Sequence, residues 1–203
     1  ASTYCGDAHA YGDRSYDAAD RPLRMSTPGD AWHSAGKGKT TAYVTNGPDN
    51  PVKLYHAALS GSSLIKDGLY PDGALQGRLD TDEDGRTLLT FTDKRGRKVL
   101  ERRGGSNDTY FVYDDLDRLR FVLSPQYQES GYKDKYAYEY RYDERGNIVK
   151  KILPGCAVDQ YWYDGAGRLT FESLQGAEGY SYRFRLYDRY GRLCVQGLCS
   201  DCD

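Results

Sequence analysis

The chain lacks any apolar run long enough to span a bilayer. It lacks a secretory signal too. Ala1-Ser2-Thr3-Tyr4 opens it without the basic and apolar stretches such a leader carries. Neither charge dominates. A net charge of −2 argues against a general nucleic-acid or anionic-membrane surface. No stretch shows a helical period of useful length, which points away from a helical class. Histidine is scarce: His9, His33 and His56 stand apart, with no His or Cys at ligand spacing. Cysteine numbers five, an odd count. Cys194, Cys199 and Cys202 cluster, while Cys5 and Cys156 stand alone. Cys199-x-x-Cys202 is half of a zinc motif, and no second pair completes it. A local disulfide, an exchange site, or a Cys199 that merely occupies a link position all remain open.

What is present is tyrosine, twenty residues against five phenylalanines. Its apolar ring and polar tip suit thin layers in which one end stays wet. Many of these tyrosines precede an aspartate. Tyr163-Asp164-Gly165-Ala166-Gly167-Arg168-Leu169 reads as strand, tight turn and returning strand. Asp at the first corner bonds to backbone amides two residues on, and Gly at the fourth accepts positive φ. Tyr187-Asp188 with Gly191-Arg192, and Tyr142-Asp143 with Gly146-Asn147, repeat the pattern. Tyr113-Asp114 places Asp117 where Gly should sit, and Tyr16-Asp17 leads to Asp20-Arg21. Thr92-Asp93 and Thr81-Asp82 keep the turn without the Tyr.

A breaker follows many of these aspartates at a fixed distance. Pro28-Gly29, Gly104-Gly105, Pro125, Pro154-Gly155 and Gln175-Gly176 mark the links. Repetition on this scale signals an array in which each unit borrows burial from its neighbours. The expected fold is all-β: antiparallel hairpins in an extended, twisted sheet that can spiral. Residues 1–30 hold one repeat, 31–80 a divergent sheet-forming insert, and 81–203 the array with turns at Asp82, Asp93, Asp114, Asp143, Asp164 and Asp188. Within the insert, short strands are expected at Thr41-Val44, Val52-Tyr55 and Leu64-Leu69.

Alternation assigns faces. Tyr136, Tyr138, Tyr140 and Tyr142 share one face, opposed by Ala137, Glu139 and Arg141; Phe111 with Tyr113 and Tyr161 with Tyr163 follow suit. A period-two aromatic stripe is first of all a buried sheet face. Tyr180, Tyr182 and Phe184 alternate, but Tyr187 is one residue out of phase, so a bulge or kink is expected near Arg185-Leu186. The turn arginines Arg118, Arg168 and Arg192 are expected to pair with a neighbouring turn's Asp.

Tyr-Asp-x-x-Gly-Arg-Leu followed by a Pro/Gly link resembles the YD repeat, also called the RHS repeat. The match covers residues 91–198 well and 13–29 fairly; Tyr187 to Cys202 looks like RHS-type proteins of Bacteroides-like bacteria in particular. The resemblance implies large bacterial secreted or surface proteins whose hairpins form a spiralling sheet. In toxin members that sheet is a shell around a downstream effector domain, and in animal teneurins a similar barrel serves adhesion. Self-cleaving members carry Asp-Pro motifs. This sequence has none, so no catalytic residue transfers.

Other motifs point less far. Asp80, Asp82 and Asp84 open like a calcium loop, but Phe91 stands where the twelfth-position Glu belongs. Gly38-Lys39-Thr40 lacks the first glycine of a phosphate loop, since His33 occupies it. The expectation is a non-catalytic piece of a longer extracellular chain, without cofactor. Its partners would be neighbouring repeats and an effector domain. The alternative is an adhesion module whose tyrosines take a glycan or a cell-surface protein.

Overall fold

The computed structural model describes residues 9, 11–58, 63–156, 158–174 and 181–200. The Gln175-Gly176 link, Tyr180, Cys5 and Cys202 lie outside the described residues. The first part holds β1 (Arg14–Tyr16), β2 (Pro22–Met25), α1 (Asp30–Ser34), β3 (Lys39–Thr45), β4 (Lys53–Ala57), β5 (Leu64–Leu69), β6 (Gln76–Thr81), β7 (Thr87–Thr92) and β8 (Lys98–Arg103). Next come β9 (Asn107–Tyr113), β10 (Leu119–Leu123), α2 (Pro125–Ser130), α3 (Lys133–Tyr136), β11 (Ala137–Tyr142) and β12 (Ile148–Ile152). The last are β13 (Val158–Tyr163), β14 (Leu169–Ser173), β15 (Tyr182–Tyr187) and β16 (Leu193–Cys199). No helix among the described residues is long and apolar enough to cross a membrane.

The fold is the expected antiparallel array. Fourteen strands follow the order β1-β2-β3-β6-β7-β8-β9-β10-β11-β12-β13-β14-β15-β16, and β4 pairs with β5 as a separate hairpin. The chain divides into two compact units, Ala1–Tyr55 with Lys66–Tyr110, and His56–Ile65 with Phe111–Asp203.

In the first unit, β3 pairs with both β2 and β6. The sheet face that packs is a cross-strand row, Val44–Gly77–Phe91–Leu100–Tyr110. Phe91, Leu100 and Tyr110 are fully buried in it. The start of β4 covers the row. Val52 is buried, the Lys53 amide donates to the Tyr110 hydroxyl at 3.4 Å, and the Tyr55 ring meets Tyr110 edge-on at 5.2 Å. Gly77 sits under the Phe91 ring, where a Cβ would lie 2.6 Å from Cε1. That close approach explains a glycine inside a strand.

In the second unit the alternation has the expected period. In β13 the expected face is the more covered, with Tyr161 and Tyr163 half-buried and Gln160 and Trp162 exposed, but in β9 and β11 the opposite face is buried. Ala137 and Glu139 are buried, while Tyr138 is 37% exposed. In β9, Val112 is buried, and Phe111 and Tyr113 are half-buried. Register supplies the reason. Leu123 pairs with Ala137 and Phe121 with Glu139, so these residues share the face of two fully buried side chains. Glu139 is accommodated by Arg141 at 2.8 Å and Lys133 at 3.1 Å. Tyr136 is no strand residue; it ends α3.

Two links form helices where none was expected. Ser124 caps α2 by accepting from the Tyr127 amide, Pro125 occupies the first turn, and left-handed Gly131 ends it. α1 follows Gly29 directly.

The expected slip is present between Leu186 and Tyr187. It is not peculiar to that copy. The same register shift precedes the turns of Asp17, Asp93, Asp143 and Asp164. Each of these hairpins therefore carries an extra residue just after its turn, such as Thr170 between the partners of Tyr163 and Trp162.

Candidate functional site

The feature that recurs is the turn, and its main-chain bonding is nearly identical at every copy. The Asp164 amide donates to the Arg168 carbonyl at 3.0 Å, and the Gly167 amide donates to the Asp164 carbonyl at 2.9 Å. Asp164 Oδ1 accepts from the amides of Ala166 and Arg168, both at 2.9 Å. Asp164 Oδ2 accepts from Arg168 Nε at 2.7 Å. Asp17–Arg21, Asp93–Arg97, Asp114–Arg118 and Asp188–Arg192 repeat the side-chain clasp, and Asn147 substitutes at Asp143. Gly167 and Gly191 hold φ near +80°, and Asp20 and Asp117 take the left-handed position where glycine is replaced. Each of these arginines thus pairs with its own turn's aspartate, not a neighbour's; Arg86 of the Asp82 turn is the exception, 3.8 Å from Asp84. The Asp amide has already folded the turn so that its carboxylate faces the side chain four residues on.

The arginine then reaches the next repeat by its free edge. Arg118 Nη1 donates to the Asp143 carbonyl at 3.3 Å, and Arg168 Nη1 to the Asp188 carbonyl at 3.1 Å. The same guanidiniums lie 5.2 Å over the Tyr142 ring and 5.0 Å over the Tyr187 ring. The tyrosines answer in the other direction. Tyr142 Oη donates to the Leu119 carbonyl at 2.7 Å, Tyr163 Oη to Ile148 at 2.9 Å, and Tyr187 Oη to Leu169 at 2.9 Å. Tyr43 does the same toward Pro22 at 3.4 Å, with Arg21 stacked 4.1 Å from its ring. Every acceptor is the residue just after the preceding turn's clasp. The motif Tyr and Arg are a reciprocal staple between neighbouring hairpins.

No family model matches the sequence, and no curated protein matches it. Solved structures do. The Tc holotoxin pore of Photorhabdus luminescens superposes with a TM-score of 0.56 over 92% of this chain and 8% of that one, at 14% identity. The TcdB2–TccC3–Cdc42 complex gives 0.51 over 92% and 9%, at 15% identity. The fold is RHS-like. The chain spans less than a tenth of the length of either chain it matches.

The electrostatics of the RHS-like turn are those of a lock. Hydrogen bonds from the Arg168 amide and side chain hold the Asp164 carboxyl below its ordinary range, as the equivalent bonds do for Asp17 and Asp188. At Asp93 burial works upward and the bonds from Arg97 outweigh it. Burial raises Tyr142 and Tyr163, with the Asp114 and Asp143 charges adding to it, so both phenols stay protonated donors. Both oxygens of each clasped carboxylate are engaged. The turn residues hold the hairpin closed.

The other sequence candidates disperse. Asp80 Oδ1 accepts from Thr41 at 2.7 Å and Arg78 at 2.9 Å, while Asp82 Oδ1 accepts from the amides of Asp84 and Arg86. Asp84 pairs with Lys37 at 3.6 Å. No group of three metal-ligating side chains forms among the described residues. Cys199 is disulfide-bonded, which removes it from a zinc half-site; Cys194 and Cys156 are exposed free thiols.

Two histidines expected to stand apart are brought together. The His9 and His33 rings stack at 4.0 Å, with His9 Nδ1 2.5 Å from Asp30 and His33 Nε2 3.8 Å from Asp13. His56 lies 4.0 Å from Asp115. Long-range folding, not spacing, makes the His9–His33 pair, so no local signal announces it.

Proposed function

We propose that the chain is a non-catalytic structural segment of a large bacterial RHS-type protein, one length of wall in a β-sheet shell that encloses or presents an effector domain. The repeat-to-repeat staple carries this reading. Where it forms, it binds one hairpin to the next through main-chain carbonyls, which any sequence supplies, so the wall extends by adding units. The clasped carboxylates leave the motif itself no chemistry. Likeness in fold to the Tc toxin chains supports the same reading, and with it a secreted or surface location. The narrower Bacteroides-like origin rests on Tyr187 to Cys202 alone. The test is limited proteolysis of the full-length gene product, with this segment intact and with its Asp164 and Asp188 turns substituted by alanine. Protection of the downstream domain only when the turns are intact is the expected result. Equal digestion of that domain in both proteins overturns the shell.

A second reading rests on Trp162, which is 41% exposed with its ring edge-on to Tyr182 at 5.7 Å. It lines a depression of about 370 Å³ with Arg145 and Asn147. On this reading the segment is an adhesion module for a glycan or surface protein. Saturable glycan-array binding that is lost in Trp162→Ala favours it; the absence of binding removes it.

A further inference from the structure

The first unit carries a cavity of about 1030 Å³ on one sheet face. Thr41, Asp80, Leu88 and Arg103 form a cross-strand row in its wall. Leu88 is three residues from Phe91, so this face is opposite the packed one. Six cations line the cavity: Arg14, Arg24, Lys39, Arg78, Arg86 and Arg103. Only Asp80 and Asp82 oppose them in the wall. Asp80 is engaged by Thr41 and Arg78, and Asp82 Oδ1 by its own turn.

Several of the cations are uncommitted. Arg103 pairs with Glu101 at 2.8 Å, but Arg24 reaches only the Gly36 carbonyl at 3.2 Å. Arg86 is 81% exposed and 3.8 Å from Asp84. Arg14 and Lys39 have no charged partner among the described residues. Apolar groups lie between the charges. Arg14 pairs with Met25 and Met25 with Lys39, a cation–apolar–cation row across β1, β2 and β3. Two strand steps make that row about 10 Å long. Tyr16 and Met25 are open to solvent beside it.

We propose that this cavity binds an acidic polypeptide segment whose carboxylates are separated by apolar side chains. Guanidinium groups take carboxylates in two-point hydrogen bonds, and the intervening apolar residues bury on Met25 and Tyr16. A nucleic acid fits less well. Its charge is continuous, so phosphates fall against Asp80 and Asp82 as well as against the cations, whereas spaced carboxylates can pass them, and it has no apolar side chains for Met25. The site does not depend on the shell reading, because none of its six cations makes a staple bond.

The probe is a fluorescein-labelled peptide of alternating aspartate and leucine, titrated into the whole chain and read by fluorescence anisotropy. An alternating serine–leucine peptide and a single-stranded oligodeoxynucleotide are run beside it. Saturable binding of the acidic peptide is expected, weakening with added salt. The Arg14→Gln/Lys39→Gln double variant should weaken it at least about tenfold, the loss of two charge-assisted contacts. Both side chains are exposed, and an unchanged circular dichroism spectrum verifies that the variant is folded. Lys150→Gln/Lys151→Gln, in the other unit, should leave affinity unchanged. Absence of binding, equal affinity in the double variant, equal binding of the serine peptide, or tighter binding of the oligonucleotide overturns the proposal.

Discussion

At the scale of single residues, the turn is where sequence and structure agree most closely. Asp followed three residues later by Gly is a local code, and local codes are legible because their partners are a few residues away. Gly167 holds φ +78°, and the space where a Cβ would stand is open, with no neighbour within 4 Å. Gly167→Val should therefore destabilise through backbone strain alone, by about 1–3 kcal/mol in urea unfolding. Equal stability would remove the left-handed assignment. The carboxylates give a pH dependence. Asp164 is held below its ordinary value of 3.8, so the unfolded chain takes up protons first as acid is added. The stability this contributes is present above that value and lost as pH falls through the lower, folded one. The thermal midpoint should fall on acidification through this range, and Asp164→Asn should flatten the fall. The role of the tyrosine is less legible. Tyr163 meets a carbonyl fifteen residues earlier in the chain, and nothing in the heptapeptide names that acceptor. Tyr163→Phe should cost about 0.5–1.5 kcal/mol, the worth of one such bond.

At the scale of elements, period is legible and face only in part: Tyr161 and Tyr163 lie on the more covered face of β13, as their alternation implies. Alternation in Ala137–Tyr142 marks a strand, but either set of side chains can turn inward. The choice falls to register with Phe121 and Leu123, which lie on another strand. Size alone would turn the tyrosines inward, as the larger apolar groups; the hydroxyl of Tyr142 is instead used at the hairpin end. The helix α2 is locally marked by Ser124, Pro125 and Gly131, yet it is too short to show a period. Ser124→Ala should cost about 1 kcal/mol through the lost cap. Glycines inside strands follow another rule. Gly77 lies beneath Phe91, and Gly197 beneath Phe184, where an added Cβ would come within 2.7 Å of the ring. Gly77→Val should destabilise by about 1–3 kcal/mol from overpacking. An equally stable variant would mean that the Phe91 ring lies elsewhere.

At the scale of the molecule, repetition carries the fold. A turn that recurs with its link implies an array, and fourteen strands take hydrogen-bonded neighbours in nearly sequential order. Contacts between distant segments are not legible. The His9–His33 stack and the cationic cavity are products of strands brought side by side. The central claim is that each Tyr-Asp turn is a hydrogen-bonded lock, repeated along the sheet. Amide hydrogen exchange, resolved residue by residue, tests it most directly. Exposed turn tips ordinarily exchange fast, but the amides of Asp164, Ala166, Gly167 and Arg168 all have acceptors. Slow exchange is expected at these four positions and at their counterparts around Asp143 and Asp188. Exchange there at the rate of free loop amides would contradict the lock, and the staple built on it.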